Sequence, residues 1–245
     1  MWRFRRVLTA IALSASLLAG CTTVAPTPPP HVASVAFRED PDLLRADFDV
    51  IGLPAVDTSN DAIVVADLSH GEIASSLELS LHWLVPEKKE PVRTVVVLGG
   101  SEASHVLYEI DEPDQPAAMA ILVPKVRART DGVNALLASK RLRPTIACTV
   151  QSPKAGVGCV HPQRLTCGAH TFELDRDRIG DQSLGWTPAP MSIGDGPPKE
   201  MVTCIEEAHL DERRMRLVAR IETSCKGGGS DACYLSPEWR VVNLR

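Results

Sequence analysis

The sequence predicts a β-rich α+β fold with antiparallel sheets, one or two helices, and a C-terminal part stapled by disulfides. Hydrophobic residues make up 44% of the 245 residues and charged residues 23%, which is enough apolar side chain for a core. Several segments alternate apolar and polar residues with the period of two that is typical of half-buried strands. Six of the seven cysteines lie in the last hundred residues.

The N-terminal half contains the clearest strand pattern. Apolar residues occupy alternate positions of this segment: Leu77, Leu79, Leu81, Trp83 and Val85. Residues 86–91 break the pattern and 92–98 form a second apolar run, which together predict a hairpin. The remaining strand predictions before residue 144 are 63–68, 105–110 and 118–126, the last assigned as strand-like because Pro124 interrupts it.

Helices are fewer, and strands return toward the C-terminus. Asp131 is placed to cap a helix that extends through Leu142, and residues 42–46 suit a short helical turn. The C-terminal strands are predicted at 145–150, 157–160, 171–174, 201–206, 214–223 and 238–244. In the segment 214–223, one face is predicted to be core (Met215, Leu217, Ala219, Ile221) and the other cationic (Arg214, Arg216, Val218, Arg220).

The first twenty residues have the organisation of a secretory signal peptide. Residues 1–6 contain three arginines and no acid, and residues 7–20 are uncharged and mostly apolar. A helix of this apolar length rises about 21 Å, which is too short for a hydrocarbon core of about 30 Å. The segment is therefore predicted to be a cleaved signal rather than a membrane span.

The end of this signal, Leu18-Ala19-Gly20-Cys21, resembles the lipobox of bacterial lipoproteins. The resemblance covers only the signal and the first mature residue. It implies cleavage after Gly20, a diacylglycerol on the Cys21 thiol, and an acyl chain such as palmitate on the new N-terminus. Thr22, where Asp would retain the protein in the inner membrane, implies the periplasmic side of the outer membrane. The alternative is a secreted protein whose signal ends in cysteine.

The mature chain is predicted to contain a tether and two regions. Residues 22–33 carry four prolines and no charge, so they read as an extended spacer of about 3.1 Å per residue. Residues 34–143 form a cysteine-free α+β region and 144–245 a disulfide-rich β region. The Gly- and Pro-rich stretch 180–199 is a long loop or an internal boundary.

Export makes disulfides the expected state of the later cysteines: Cys148, Cys159, Cys167, Cys204, Cys225 and Cys233. Strand geometry favours Cys148–Cys159 across a hairpin, and the short glycine loop favours Cys225–Cys233, which leaves Cys167–Cys204. One rival is a zinc site built from Cys159, His161, Cys167 and His170, and another is free structural thiols. We expect neither a metal nor another cofactor.

Catalytic motifs are incomplete, so no catalytic residue is predicted. Ser101 follows a strand and two glycines, but the Gly-x-Ser-x-Gly pattern is absent. Residues 175–180 begin like a calcium loop, but Ile179 and Trp186 occupy ligand positions. The acids at 109–114 read as a solvated loop, and His82 and His105 as strand histidines. The formal net charge of −5 provides no excess of basic residues to neutralise phosphates, which disfavours nucleic acid as a partner.

These features favour a non-enzymatic, lipid-anchored periplasmic lipoprotein that binds another envelope protein or supports an envelope assembly. The expected partners are the bilayer, through Cys21, and an envelope protein. Two alternatives stay open. The first is an envelope hydrolase with an unidentified active site, and the second is a periplasmic inhibitor of a lytic enzyme.

Overall fold

The computed structural model confirms a β-rich fold with antiparallel sheets. It describes residues 32–40, 45–70, 77–86, 88, 90–99, 115–151, 162–174, 201–225 and 234–244. In these residues the chain forms thirteen strands and one helix, arranged as a two-stranded, a five-stranded and a six-stranded sheet. None of the helical structure described there is both long and apolar enough to cross a bilayer.

The five-stranded sheet has the order β6-β5-β4-β3-β7. Its strands are β3 (Ala55–Asp57), β4 (Ala62–His70), β5 (Leu77–Leu84), β6 (Arg93–Leu98) and β7 (Leu142–Pro144). The predicted β5–β6 hairpin is confirmed, because the two strands pair antiparallel. In β5 the apolar positions are buried and the polar positions between them are half-buried, as the alternation requires.

One face of this sheet is covered by a hairpin and a helix. The hairpin pairs β1 (Ser34–Asp40) with β2 (Arg45–Ile51), and the helix is α1 (Gln115–Ala138). Asn134 of α1 binds the edge of β1, since its side chain accepts from the Val35 N–H and donates to the Val35 carbonyl, both at 2.8 Å. These elements and the sheet share one apolar core.

Two predictions fail in this layer. Residues 118–126 belong to α1 and not to a strand, and the helix predicted from Asp131 begins sixteen residues earlier, at Gln115. Pro124 removes one helix hydrogen bond at a cost of about 3 kcal/mol, but it lies on the exposed side. The buried residues Met119, Leu122, Val123 and Val126 recur at helical spacing, and burying them outweighs that cost.

A third prediction also needs correction. The helical turn predicted at 42–46 overlaps β2, in which Arg45 and Ala46 pair with Asp40 and Glu39. Residues 41–44 lie outside the described part of the chain. Ala46 is buried in the core shared with α1, so the strand is favoured by packing rather than by local sequence.

The six-stranded sheet has the order β10-β9-β8-β11-β12-β13. Its strands are β8 (Ile146–Gln151), β9 (Gln163–Cys167), β10 (His170–Leu174), β11 (Met201–Asp211), β12 (Arg216–Cys225) and β13 (Tyr234–Asn243). The first two residues of β8 pair with β11 and the last four with β9. Because β8 pairs first with β11 and then with β9, the sheet bends at β8. The strands on both sides of this bend contribute to one core.

The two larger sheets stack face to face. Val56, Ile63, Val65 and Leu84 of the five-stranded sheet form an apolar cluster with Val218 and Val241 of the other. The predicted core face of the segment 214–223 is confirmed for Leu217, Ala219 and Ile221, which are buried, but not for Met215, which is half-buried in the turn before β12. Its other face is not simply cationic, because Val218 is 0% and Arg216 4% exposed at the junction with the five-stranded sheet.

The cysteine pairing differs from the predicted one. Cys148 of β8 bonds to Cys167 of β9, residues that lie directly opposite each other in the register. The predicted pairs Cys148–Cys159 and Cys167–Cys204 are therefore wrong, since the sequence-based hairpin placed the wrong strand beside β8. Cys204 is also disulfide-bonded. Cys159 and Cys233 lie outside the described residues, so Cys225–Cys233 stays a prediction.

Candidate functional site

One face of the five-stranded sheet extends beyond the sheet that covers its centre. Val65 and Leu84 on this face are buried in the contact between sheets, whereas Thr94 and Val96 on the terminal strand β6 are exposed. Half-buried polar residues of β4 and β5 lie between these two zones. The uncovered surface, hereafter the β4–β6 ledge, consists of Asp67, Ser80, His82, Thr94 and Val96.

Strand register brings the ledge residues together. His82 on β5 lies opposite Thr94 on β6, and Ser80 lies opposite both Asp67 on β4 and Val96 on β6. Diagonal neighbours on paired strands are also within reach of long side chains, which places Asp67 beside His82. The ledge therefore arises from three paired strands and needs no loop to form.

A hydroxyl, an imidazole and a carboxyl group follow one another across the ledge. His82 Nδ1 lies 3.0 Å from Thr94 Oγ1, a hydrogen bond, and His82 Nε2 lies 4.0 Å from Asp67 Oδ2. The second distance permits electrostatic attraction but no direct hydrogen bond. The side chains of His82 and Asp67 are 21% and 34% exposed, so both groups are accessible to a binding partner.

Burial changes the protonation of both groups. It raises the pKa of Asp67 above its ordinary value, and the attraction of His82 and Arg220 offsets this only in part. Burial also lowers the pKa of His82, against the opposing effect of Asp67. At neutral pH His82 is therefore a neutral imidazole, which can accept or donate a hydrogen bond. Such paired shifts in accessible groups mark candidate functional sites.

Strands β12 and β13 of the six-stranded sheet contact β4 next to the ledge. Arg220 on β12 donates to the Leu68 carbonyl at 3.4 Å and lies 3.5 Å from the Glu206 carboxylate. The Trp239 indole N–H on β13 donates to the Ala66 carbonyl at 3.1 Å. These contacts hold the two sheets together along β4 and fix the position of Asp67.

Irregular pairing surrounds the same region. The pairing of β5 with β6 skips Val97, and the pairing of β11 with β12 skips Glu206. Strands β6 and β11 therefore each contain a bulge of one residue. The Val97 carbonyl accepts a hydrogen bond from Arg129 at 3.4 Å. Bulges re-aim side chains and are frequent beside functional sites, and here they flank the ledge on both sheets.

A second charged cluster joins the sheets at the opposite end. Arg216 on β12 donates to Asp211 at 2.6 Å and to Asp61 of the β3–β4 turn at 3.0 Å. Arg143 on β7 donates to the other Asp211 oxygen at 2.6 Å. Asp211 is fully buried and Arg216 nearly so. Among the described residues, the buried pair Asp211 and Arg216 contacts β7 through Arg143 and the β3–β4 turn through Asp61, so the cluster is a structural clamp.

Two further carboxylates are held in their ionised form. Asp57, fully buried, accepts hydrogen bonds from the Ser59 N–H at 3.1 Å and from its hydroxyl. Burial acts to raise the pKa of Asp57, but Ser59 and Lys140 outweigh it and lower the pKa. The hydrogen bond from His209, at 2.8 Å, lowers the pKa of Glu207.

These shifts predict the acid sensitivity of the fold. Burial acts to raise the pKa of Asp211, but Arg143 and Arg216 outweigh it and lower the pKa. A carboxyl whose pKa is lower in the folded state stabilises the protein above its unfolded pKa of about 3.9, and that stability is lost as pH falls through the folded pKa. We expect urea unfolding midpoints to fall steeply below about pH 4. Unchanged midpoints between pH 5 and pH 2.5 would contradict this linkage.

Some of the residues singled out in the sequence fall within the described part of the chain, and others do not. His82 is part of the ledge. Cys167, a proposed zinc ligand, is in a disulfide and therefore has no thiolate to offer. The following candidates lie outside the residues that the structure describes: Cys21, residues 109–114 and 175–180, Ser101, His105, Cys159 and His161.

The sequence interpretation missed Asp67, Thr94 and Arg220. The available signal was strand parity, since Asp67 and Val65 share one side of β4 and His82 faces Thr94 across the predicted hairpin. No group of three or more His, Cys, Asp or Glu residues in the described ranges could hold a metal ion. A cavity of about 20 Å³ at the ends of β5 and β13 has room for one water molecule.

Comparisons with known proteins give no relative from which a role could be transferred. No protein-family model matches the chain. Neither a curated protein nor a solved structure matches it significantly.

Proposed function

We propose that the protein is a lipoprotein of the outer membrane, anchored on the periplasmic side through acylated Cys21, that binds another envelope protein. The lipobox-like Leu18–Cys21 segment supports the anchor. The Cys148–Cys167 disulfide supports an oxidising compartment, because structural disulfides persist outside the cytoplasm. The polypeptide enters β1 at Ser34, directly after the Pro-rich segment.

The terminal strand β6 is the observation that carries the binding role. Within the described residues β6 pairs only with β5, and among these residues no strand binds the backbone groups of its outer edge, which can therefore pair with another strand. Val96 is 52% and Val92 45% exposed beside that edge. Proteins usually protect an edge strand with charges or proline, and β6 has only Arg93, at its first position.

An extended segment of the partner would add to β6 as a further strand. Main-chain hydrogen bonds supply affinity in such complexes, and alternate side chains supply specificity. Val96 gives the segment an apolar contact, while Thr94 and His82 give it hydrogen-bonding groups 3.0 Å apart. The ledge therefore suits a partner segment with a small apolar side chain next to a polar one.

The anchor and the binding surface are tested separately. Mass spectrometry of the mature N-terminal peptide is expected to show Cys21 carrying a diacylglycerol and an amide-linked acyl chain, and Cys21→Ala should abolish both. An intact signal peptide with an unmodified Cys21 thiol would refute the anchor.

For the binding surface, a photoreactive phenylalanine derivative at position 96 is expected to cross-link one envelope protein. Val96→Arg should weaken binding of that purified partner at least about fivefold, because a central apolar contact contributes more than about 1 kcal/mol. The matched control is Ile51→Arg, since Ile51 is 57% exposed on β2. Equal loss in both variants, or no adduct specific to position 96, would refute strand addition.

A further inference from the structure

The outward face of the first half of α1 is apolar although it faces solvent. Ile121 is 64% exposed, and its exposed neighbours on the same side are Ala117, Ala120, Pro124 and Ala128. A surface helix usually carries polar residues opposite its buried face. Here the buried residues and the outward residues are both apolar, so the helix has a second apolar face, which no element of the described structure covers.

Basic residues border this face on both sides. At 3.6 residues per turn, Lys125 and Arg127 project about 80° to either side of the line through Ala117 and Ala128. Residues 117–128 contain no acid. Arg127 also donates to Glu39 at 2.8 Å, whereas no described residue pairs with Lys125, so Lys125 supplies more of the attraction for an anion. An apolar stripe with basic borders is typical of helices that lie on anionic bilayers.

The start of the folded chain lies against the same helix. Asn134 holds Val35 through two hydrogen bonds, so the polypeptide that follows Cys21 reaches the domain beside α1. Ile121 lies thirteen residues, or about 20 Å, along the helix from Asn134. The twelve residues between Cys21 and Ser34 that form the spacer reach about 37 Å when extended, which lets the helix approach the bilayer that holds the anchor.

We propose that the face formed by Ala117, Ile121, Pro124, Lys125 and Ala128 docks on the anionic phospholipid surface in which Cys21 is anchored. This rests on the proposed lipid anchor. Ile121 inserts among the headgroups while Lys125 and Arg127 pair with lipid phosphates. Asp131 on the same side of the helix limits the contact to the first half. Docking fixes the orientation of the domain and leaves β6 available to a partner.

The test uses the full acylated protein in vesicles with a diazirine phospholipid, made either of phosphatidylethanolamine and phosphatidylglycerol or of phosphatidylcholine alone. After illumination, we expect lipid adducts on the peptide that contains residues 117–128, with more in the anionic vesicles. Lys125→Glu should lower the yield about fivefold or more, because one basic residue near an anionic surface contributes about that factor. Ile121→Glu should lower it similarly, whereas Ile51→Glu, at a comparably exposed isoleucine on β2, should not.

Adducts absent from residues 117–128, or unchanged by both substitutions, would overturn the proposal. So would sedimentation showing a dimer that Ile121→Glu dissociates, because a second copy would then cover the face. Mass spectrometry of Cys21 before reconstitution separates the two hypotheses. If Cys21 carries no lipid, the anchor fails, and labelling of the same chain mixed with the vesicles still decides whether α1 binds them.

Discussion

Arg216→Met is expected to destabilise the protein by about 3–5 kcal/mol, which is a large part of the 5–15 kcal/mol that holds a typical domain folded. The substitution approximates the length of the side chain but removes one of the two cations that contact Asp211, which is fully buried. Arg143 donates only to Oδ1, so Oδ2 loses the two hydrogen bonds that Arg216 donates to it. The contact with Asp61 of the β3–β4 turn is lost as well. The free energy of unfolding, measured in urea with the disulfides intact, provides the comparison.

The matched control is Arg214→Met. Arg214 lies two residues away and also approaches Asp61, at 3.6 Å, but its side chain is 63% exposed. Exposed ion pairs contribute at most about 1 kcal/mol, so this variant should unfold close to the wild type. If both variants lost the same stability, net charge rather than the buried clamp would explain the effect.

A double substitution tests the same clamp from the other side. Removing one member of a buried pair leaves an uncompensated charge, whereas removing both often restores stability. We therefore expect Arg216→Met with Asp211→Leu to be more stable than Arg216→Met alone. Arg143, whose side chain is 20% exposed, would then turn to solvent.

The strands that could be predicted from the sequence are those with one face buried in a core and the other face only partly buried. In β5, leucines and Trp83 alternate with half-buried polar residues, and the period of two is visible without any tertiary information. Short strands lack this signal. The three residues of β3 are all buried and those of β7 carry a charge and a proline. Both are identified as strands by their pairing, β3 with β4 and β7 with β3.

The helix could not be predicted from the same pattern because α1 is apolar on two sides. Met119 and Leu122 point into the core, and Ile121 points outward. A run with little polar contrast reads equally well as a buried strand, and Pro124 favours that interpretation locally. The tertiary contacts of the buried face decide in favour of the helix.

The ledge was only partly accessible to sequence reasoning. Parity along β4 and β5 sets which side chains share a face, and the hairpin places His82 near Thr94. The position of Arg220 depends on how the two sheets stack, which no local pattern encodes. The Cys148–Cys167 disulfide was missed for a similar reason. Residues 152–161 separate β8 from β9, and Cys159 is closer to Cys148 in the sequence than Cys167 is.

Loss of the Cys148–Cys167 disulfide is expected to cost about 3 kcal/mol. The two cysteines are 19 residues apart, and closing a loop of that length restricts the unfolded chain by about this amount. Cys167 is fully buried, so the replacement Cys148→Ala with Cys167→Ala also leaves a small void. The urea midpoint of the double variant, compared with the oxidised wild type, measures the total effect.

The position of the Cys148–Cys167 disulfide predicts which strands open first when it is removed. The bonded residues lie just beyond the point at which β8 passes from β11 to β9, so the bond holds β9 and β10 onto the rest of the six-stranded sheet. Local opening occurs in contiguous cooperative units. We therefore expect amide hydrogen exchange in the double variant to accelerate first across β9 and β10, residues 163–174.

The control lies within the same molecule. Amides of β4 and β5 are separated from the disulfide by the interface between the sheets, and their core is built from other residues. They should retain wild-type exchange under mild conditions while β9 and β10 exchange faster. Uniform acceleration across both sheets would mean that the chain opens as one unit, and the bond would then stabilise the whole fold rather than one edge of it.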